Sequence, residues 1–144
     1  MGWESFTPKL VGVIPCGGEE LPEGEVTRLA TGIVVEKLRK GRTSTLCLPL
    51  LLRKGENEIS FIENYPVIVV DGCSKKCGTC VLRKLGYTPD ETVIVSDVVE
   101  KLGTTLSQET VNELSHMVAE EVAKKVDMIF HRIAEDRRTE PIEL

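Results

Sequence analysis

Residues 66–80 read PVIVVDGCSKKCGTC, and the placement of this stretch decides the fold. Pro66–Val70 is uniformly apolar, as expected of a strand covered on both faces inside a parallel sheet. Lys75–Leu85 has helical spacing, with Val81, Leu82 and Leu85 on the inward face and Gly86 as its stop. Between strand and helix lie Asp71, Gly72 and a polar loop that holds Cys73, Cys77 and Cys80. A strand that feeds a helix through a short loop is one half of a parallel crossover, so the flanking sequence should alternate in the same way.

It does. Upstream, Lys9–Pro15 (KLVGVIP) is a short apolar strand ended by Cys16-Gly17-Gly18, and Glu19–Gly24 is an acidic loop. Val26, Leu29, Ala30, Ile33, Val34 and Leu38 follow at helical spacing, with acids in front, Lys37, Arg39 and Lys40 behind, and Gly41 as terminator. Thr45–Leu52 (TLCLPLLL) is predicted as a second short buried strand that contains Cys47, its length limited by Pro49. Lys54–Asn64 is predicted as a short helix. Downstream, Thr92–Ser96 reads as the fourth strand, and Asp97 with Glu100 fits a capping box for one short turn. From Ser107 the residues Val111, Leu114, Val118, Val122, Val126, Ile129 and Ile133 step by three or four. A helix over 108–135 would be roughly 40 Å long, more than a small sheet can cover. Its end should project or meet a homo-oligomeric or other protein partner, and the RRTEPIEL tail should fray. The expected fold is α/β: a three-layer sandwich with a mostly parallel sheet of about four strands and a long C-terminal helix, in a single domain over 1–144.

With 18 basic and 23 acidic residues the net charge is −5, the wrong sign for wrapping nucleic acid or lying on an anionic membrane. No apolar run is long enough to span a bilayer, and MGWESFTPKL lacks the apolar core of a signal peptide. A cytoplasmic, reducing location is therefore expected. Five cysteines there point to thiols or metal ligands rather than to a disulfide framework.

Open parallel sheets gather functional groups beyond the carboxyl ends of their strands. Cys16 ends the first predicted strand, Cys47 lies in or after the second, and Cys73 follows the third, so distant cysteines meet at one sheet edge. Zinc and iron–sulfur clusters need such convergence of thiolates. A helix N-terminus near Ser74, with Lys75 and Lys76, favours thiolate charge, and Cys77 and Cys80 would share a face of that helix. Cys47 fits equally well as a packed core residue. Three local patterns compete. Cys-x3-Cys-x2-Cys at 73, 77 and 80 matches the cluster loop of radical S-adenosylmethionine enzymes, but too little chain follows for their barrel. Cys77–Arg83 matches the cysteine-phosphatase loop in spacing, yet Lys84 stands where Ser or Thr belongs. Cys77-Gly78-Thr79-Cys80 is a CxxC at a helix start, which keeps a thiol-redox or sulfur-transfer enzyme as the alternative function. An iron–sulfur protein using Cys16, Cys73, Cys77 and Cys80 is the third.

Ile14–Gly18 (IPCGG), Gly24–Ala30 (GEVTRLA), Cys47 in its leucine-rich setting and Val69–Cys77 (VVDGC-x3-C) together resemble the DGC-domain family, small prokaryotic proteins described as zinc-binding. The resemblance covers about Lys9 to Lys101. It implies zinc as the cofactor and Cys16, Cys47, Cys73 and Cys77 as ligand candidates, with Cys80 and the C-terminal helix outside its pattern. Four ligands would make the site structural; three and a water would leave it open for catalysis.

Asp71 reads as a turn or cap residue, with a role behind the ligands as the alternative. Gly72, and likewise Gly17 and Gly18, are expected at positive φ, where Gly17 and Gly18 could expose amides to an anion. His116 and His131 fall on the polar face of the last helix and are expected to be exposed, and Arg28 and Lys37 on a solvated helix face. Trp3 is expected to pack within the N-terminal tail.

Overall fold

The computed structural model describes residues 10–18 and 20–139. The packing expected of Trp3 and the tail from Glu140 onward lie outside the described residues. Four parallel strands, β1 (Val11–Pro15), β2 (Thr43–Thr45), β3 (Val67–Asp71) and β4 (Glu91–Ile94), form one sheet in the order β2-β1-β3-β4. Every residue of β3 is buried, and its pleat sends alternate side chains to two separate cores. Ile68 and Val70 join Val11 and Val13 of β1 in the larger core. Val67 and Val69 join Ile14 in the smaller one. The three-layer α/β sandwich expected from the uniformly apolar strands is what the chain builds.

The larger core is closed by α1 (Pro22–Ile33), α5 (Val95–Leu102) and α6 (Val111–Thr139). Pro22 opens α1 without losing a needed N–H, and Glu23 and Glu25 lie in the first turn, where the dipole favours acids. Val26, Ala30 and Val34, four apart, form its buried stripe. The last turn, Val34–Leu38, is π-helical, and Gly41 at φ 81° ends the run where the sequence pattern placed its stop. Arg39 just beyond holds both carboxylate oxygens of Asp127 on α6, at 2.9 and 2.6 Å, which keeps that carboxyl below its ordinary titration range. The smaller core is closed by α2 (Leu48–Leu52), α3 (Glu56–Asn64) and α4 (Cys77–Lys84).

Three boundaries differ from expectation. The strand predicted over Thr45–Leu52 stops at Thr45; Cys47 is exposed, and Leu48–Leu52 is helical. Pro49 has no N–H for a ladder but fits a helix's first turn, so it starts α2 rather than limiting a strand. Likewise β4 ends at Ile94, and α5 runs eight residues with no side-chain cap, so Asp97 serves the first-turn dipole and not a capping box. Lastly, α4 begins at Cys77 rather than near Ser74, because Lys76 takes a left-handed conformation (φ 51°) that breaks the helix behind it.

The long helix α6 has 29 residues. Val111, Leu114, Val118, Val122, Val126 and Ile129 are buried, as their spacing required, while His116 and His131 are exposed. Near its far end Arg42 stacks over the Phe130 ring at 4.2 Å and Arg132 reaches Glu91 of β4 at 3.5 Å. Among the described residues no helix is long and apolar enough to cross a membrane.

Candidate metal centre

The chain leaves β1 toward β2 on one side and returns to β3 on the other, so the loops after β1 and β3 part at a switch point. Cys16 stands at the first loop and Cys73 at the second. The Cys16 N–H donates to the Val70 carbonyl at 2.9 Å, extending the β1–β3 ladder by one bond and fixing Cys16 beside the end of β3. Half-buried, its Sγ lies 3.7 Å from Thr27 Oγ1. Thr27 donates its hydroxyl proton to the Gly24 carbonyl at 2.6 Å and accepts from Gly17 N at 3.2 Å. With that proton committed, Thr27 can only accept from Cys16.

A cavity of about 400 Å³ opens over the switch point, lined by Cys16, Cys73, Cys77, Glu23, Gly72 and Lys75 among others. A second cavity of about 410 Å³ adjoins it across Cys16, with Cys47, Arg28 and Leu52 in its wall. Positions 16, 47 and 73 lie at one sheet edge, with Cys16 in the wall of both cavities and Cys47 on the far side of it, but their sulfurs do not converge as expected. Cys80 lines neither cavity. Exposed one turn along α4, it directs its Sγ toward the Lys75 carbonyl at 3.7 Å. The sulfurs share walls rather than one point: among the described residues no group of three or more His, Cys, Asp or Glu is close enough to hold a metal ion.

Asp71 explains how α4 presents Cys77. Buried at the end of β3, its carboxylate accepts from Gly78 N at 2.8 Å, Thr79 N at 3.4 Å and Thr79 Oγ1 at 2.7 Å. The two N–H groups are donors that a helix start leaves unpaired, and the Thr79 hydroxyl adds a side-chain bond. The cap role expected for Asp71 is correct, but it is exercised through space across the cysteine loop. Of the glycines expected at positive φ only Gly17 (φ 67°) takes it; Gly18 and Gly72 do not, and Gly72 is required instead because a Cβ there would stand 3.0 Å from the Glu23 backbone carbon and Cβ. The β3 turn and the start of α1 thus meet in direct contact.

Glu23 was not legible as a site residue. Its sequence setting, a proline-led helix start, needs an acid for the dipole alone. In the fold it lines the cysteine cavity, and its Oε2 is buried without a hydrogen-bond partner. Native structures leave few such atoms, since an unpaired buried carboxylate oxygen is costly.

The contact between α1 and the Cys-Gly-Gly loop yields a sign test. A Cβ on Gly24 would strike the Gly18 carbonyl, whereas one on Gly32, in the same helix, meets nothing within 4 Å. Gly24→Ala is expected to destabilise by about 1–3 kcal/mol, and Gly32→Ala to stabilise by about 0.5–1 kcal/mol. Urea denaturation midpoints of the two variants check the opposite signs.

The search of curated proteins and that of solved structures gave no match. The family model described as DGC domain matches residues 12–127, from β1 through most of α6. Spanning both halves of the cysteine arrangement and the Asp-Gly-Cys turn between them, that match makes this chain a member of the DGC-domain family.

Proposed function

We propose that the protein binds one zinc ion through cysteine thiolates at the carboxyl edge of its parallel sheet. The observation that carries this reading is the cavity at the β1/β3 switch point, in whose wall Cys16, Cys73 and Cys77 stand together. The donor type supports the reading, and binding would have to draw together sulfurs that share a wall without forming a coordinating group. Thiolates select zinc and other thiophilic metals, and the α4 N-terminus beside Lys75 compensates their charge. Zinc held there is structural when its coordination is closed and a Lewis acid when one position stays open. The same reading places the protein in a reducing compartment, where its thiols stay free. It assigns the distal turns of α6 to a second copy or another protein partner; metal binding needs neither.

The test is metal content with the visible spectrum, measured on protein purified without oxygen. About one zinc per chain and no colour is the expected result. Broad absorption near ~400 nm would mean an iron–sulfur cluster instead. Absence of metal, with Cys77 and Cys80 oxidising rapidly to a disulfide, would replace the reading with a thiol-redox or sulfur-transfer enzyme, a role their shared exposure on α4 permits.

A further inference from the structure

We infer that the protein forms a two-fold dimer in which α6 packs antiparallel against α6 of a second copy, independently of any bound metal. A self-complementary stripe on that helix carries the inference. Met117, Glu121, Lys124 and Met128 step by four, three and four along α6, the spacing of a seam between two helices. They lie on the side turned away from Val122 and Val126, which fill the larger core. Met117 is 37% exposed and Met128 48%, the two large apolar side chains that α6 leaves exposed among the described residues. Scattered singly, exposed methionines need no explanation. Their order with the charges does.

Turned end for end about an axis level with the Val122–Ala123 peptide bond, the stripe meets itself in register. Met117 falls against the partner's Met128, and Glu121 against the partner's Lys124. The flanks match as well, with Glu120 level with the partner's Lys125 and Glu113 level with the partner's Arg132. In a two-fold contact every such match occurs twice. A parallel pair would instead set Glu121 on Glu121 and Lys124 on Lys124. Charge complementarity thus selects both the occupant and its direction. Within one chain Glu121 and Lys124 touch at 3.3 Å, an exposed pair that contributes little alone. The Lys124 side chain is still 69% exposed, which leaves room for a second carboxylate. Lys125 and Arg132 each reach Glu91 on the edge strand β4, at 3.1 and 3.5 Å, which holds them along the flank of the helix. Beside Met117 a cavity of about 360 Å³ between β4, α5 and α6 is walled by Val98 and Leu102, and Leu102 is itself 48% exposed. The partner's Met128 arrives at the rim of this cavity, and an unbranched side chain suits an irregular apolar gap.

The experiment is sedimentation velocity on the full chain over about a hundredfold range of concentration, since a dimer of this kind dissociates on dilution. Reductant is present, so that the exposed cysteines form no linked dimers. Wild type should show a reversible monomer–dimer equilibrium. Met117→Glu with Met128→Glu should weaken it at least about tenfold, and so should Glu121→Lys alone, which sets like charges against the partner's Lys124. Glu121→Lys combined with Lys124→Glu keeps the composition and restores the match. That doubly exchanged chain should associate with itself within about threefold of wild type, yet form no mixed dimer with wild type in native mass spectrometry. A parallel pair predicts the reverse, so mixed dimers formed in preference to either self-dimer would overturn the inference. Because the exchange alters no composition, a loss of folding does not imitate this outcome; far-UV circular dichroism of each variant should match wild type. A wild type that stays monomeric throughout, or that associates only with a different protein, overturns the inference. Dimerisation undisturbed by the two methionine changes does so too.

Discussion

Cys73→Ser is expected to abolish metal retention, with affinity falling more than about 100-fold, whereas Cys80→Ser should leave it within about threefold of wild type. The contrast follows from placement. Cys73 stands on the turn that leaves β3, in the cavity wall shared with Cys16 and Cys77. Serine keeps the size, but its hydroxyl stays protonated at neutral pH and offers a hard oxygen where a soft thiolate bound. Cys80 is only three residues beyond Cys77, yet its sulfur turns to the Lys75 carbonyl, outside both cavities. Metal analysis after gel filtration, followed by competition with a chromophoric chelator, checks the pair. Far-UV circular dichroism establishes that each variant folds. A protein that loses its metal through Cys80→Ser and keeps it through Cys16→Ser would have its centre on the exposed face of α4, and the switch-point cavity would be irrelevant to it.

Sequence reached the cysteines through topology. Uniformly apolar strands predict a parallel sheet, and a parallel sheet sends its loops to one edge, so Cys16 and Cys73 line one cavity although they are distant in the chain. Local composition was less informative where it fits two states. Leu48–Leu52 is as apolar as a buried strand, and Pro49 argues equally for a short strand or a helix start; what decides is that Leu51 is needed to fill the smaller core. Val95 is β-branched and reads as strand, yet it turns inward as the first residue of α5. Cys77 and Cys80 look equivalent by spacing, and only the left-handed break at Lys76, which moves the helix start to Cys77, separates their surroundings. Glu23 marks the limit of such reading. Nothing in Pro-Glu-Gly-Glu distinguishes a dipole acid from one sealed against Gly72, because that contact joins segments whose approach is a property of the whole fold.

Asp71→Ala is expected to be among the most damaging single changes, at about 3–5 kcal/mol, with Asp71→Asn costing about 1–2 kcal/mol. The carboxylate is buried and accepts two short bonds, from Gly78 N at 2.8 Å and Thr79 Oγ1 at 2.7 Å, with a longer one from Thr79 N. Alanine removes the acceptor and strands these donors in an interior that water does not reach easily, since both Gly78 and Thr79 are buried. Asparagine keeps one oxygen for Gly78 N, but its amide nitrogen would face the Thr79 N–H, so one of the bonds is forfeited and the Thr79 hydroxyl must turn. Against a typical domain stability of about 5–15 kcal/mol, the alanine loss would leave a substantial unfolded fraction. Urea unfolding with an unchanged m-value should rank wild type above Asp71→Asn above Asp71→Ala. An alanine variant within about 1 kcal/mol of wild type would show that the cap contributes little. The metal readout should follow the same order, for a structural reason. Asp71 anchors the first turn of α4, that turn begins with Cys77, and a Cβ on Gly78 would already crowd Val69 at 2.7 Å. With the anchor gone, helix and thiol move together. The Asp, Gly and Cys of this turn thus have separate physical tasks: Asp71 caps α4, Gly72 admits Glu23, and Cys73 faces the cavity they jointly shape.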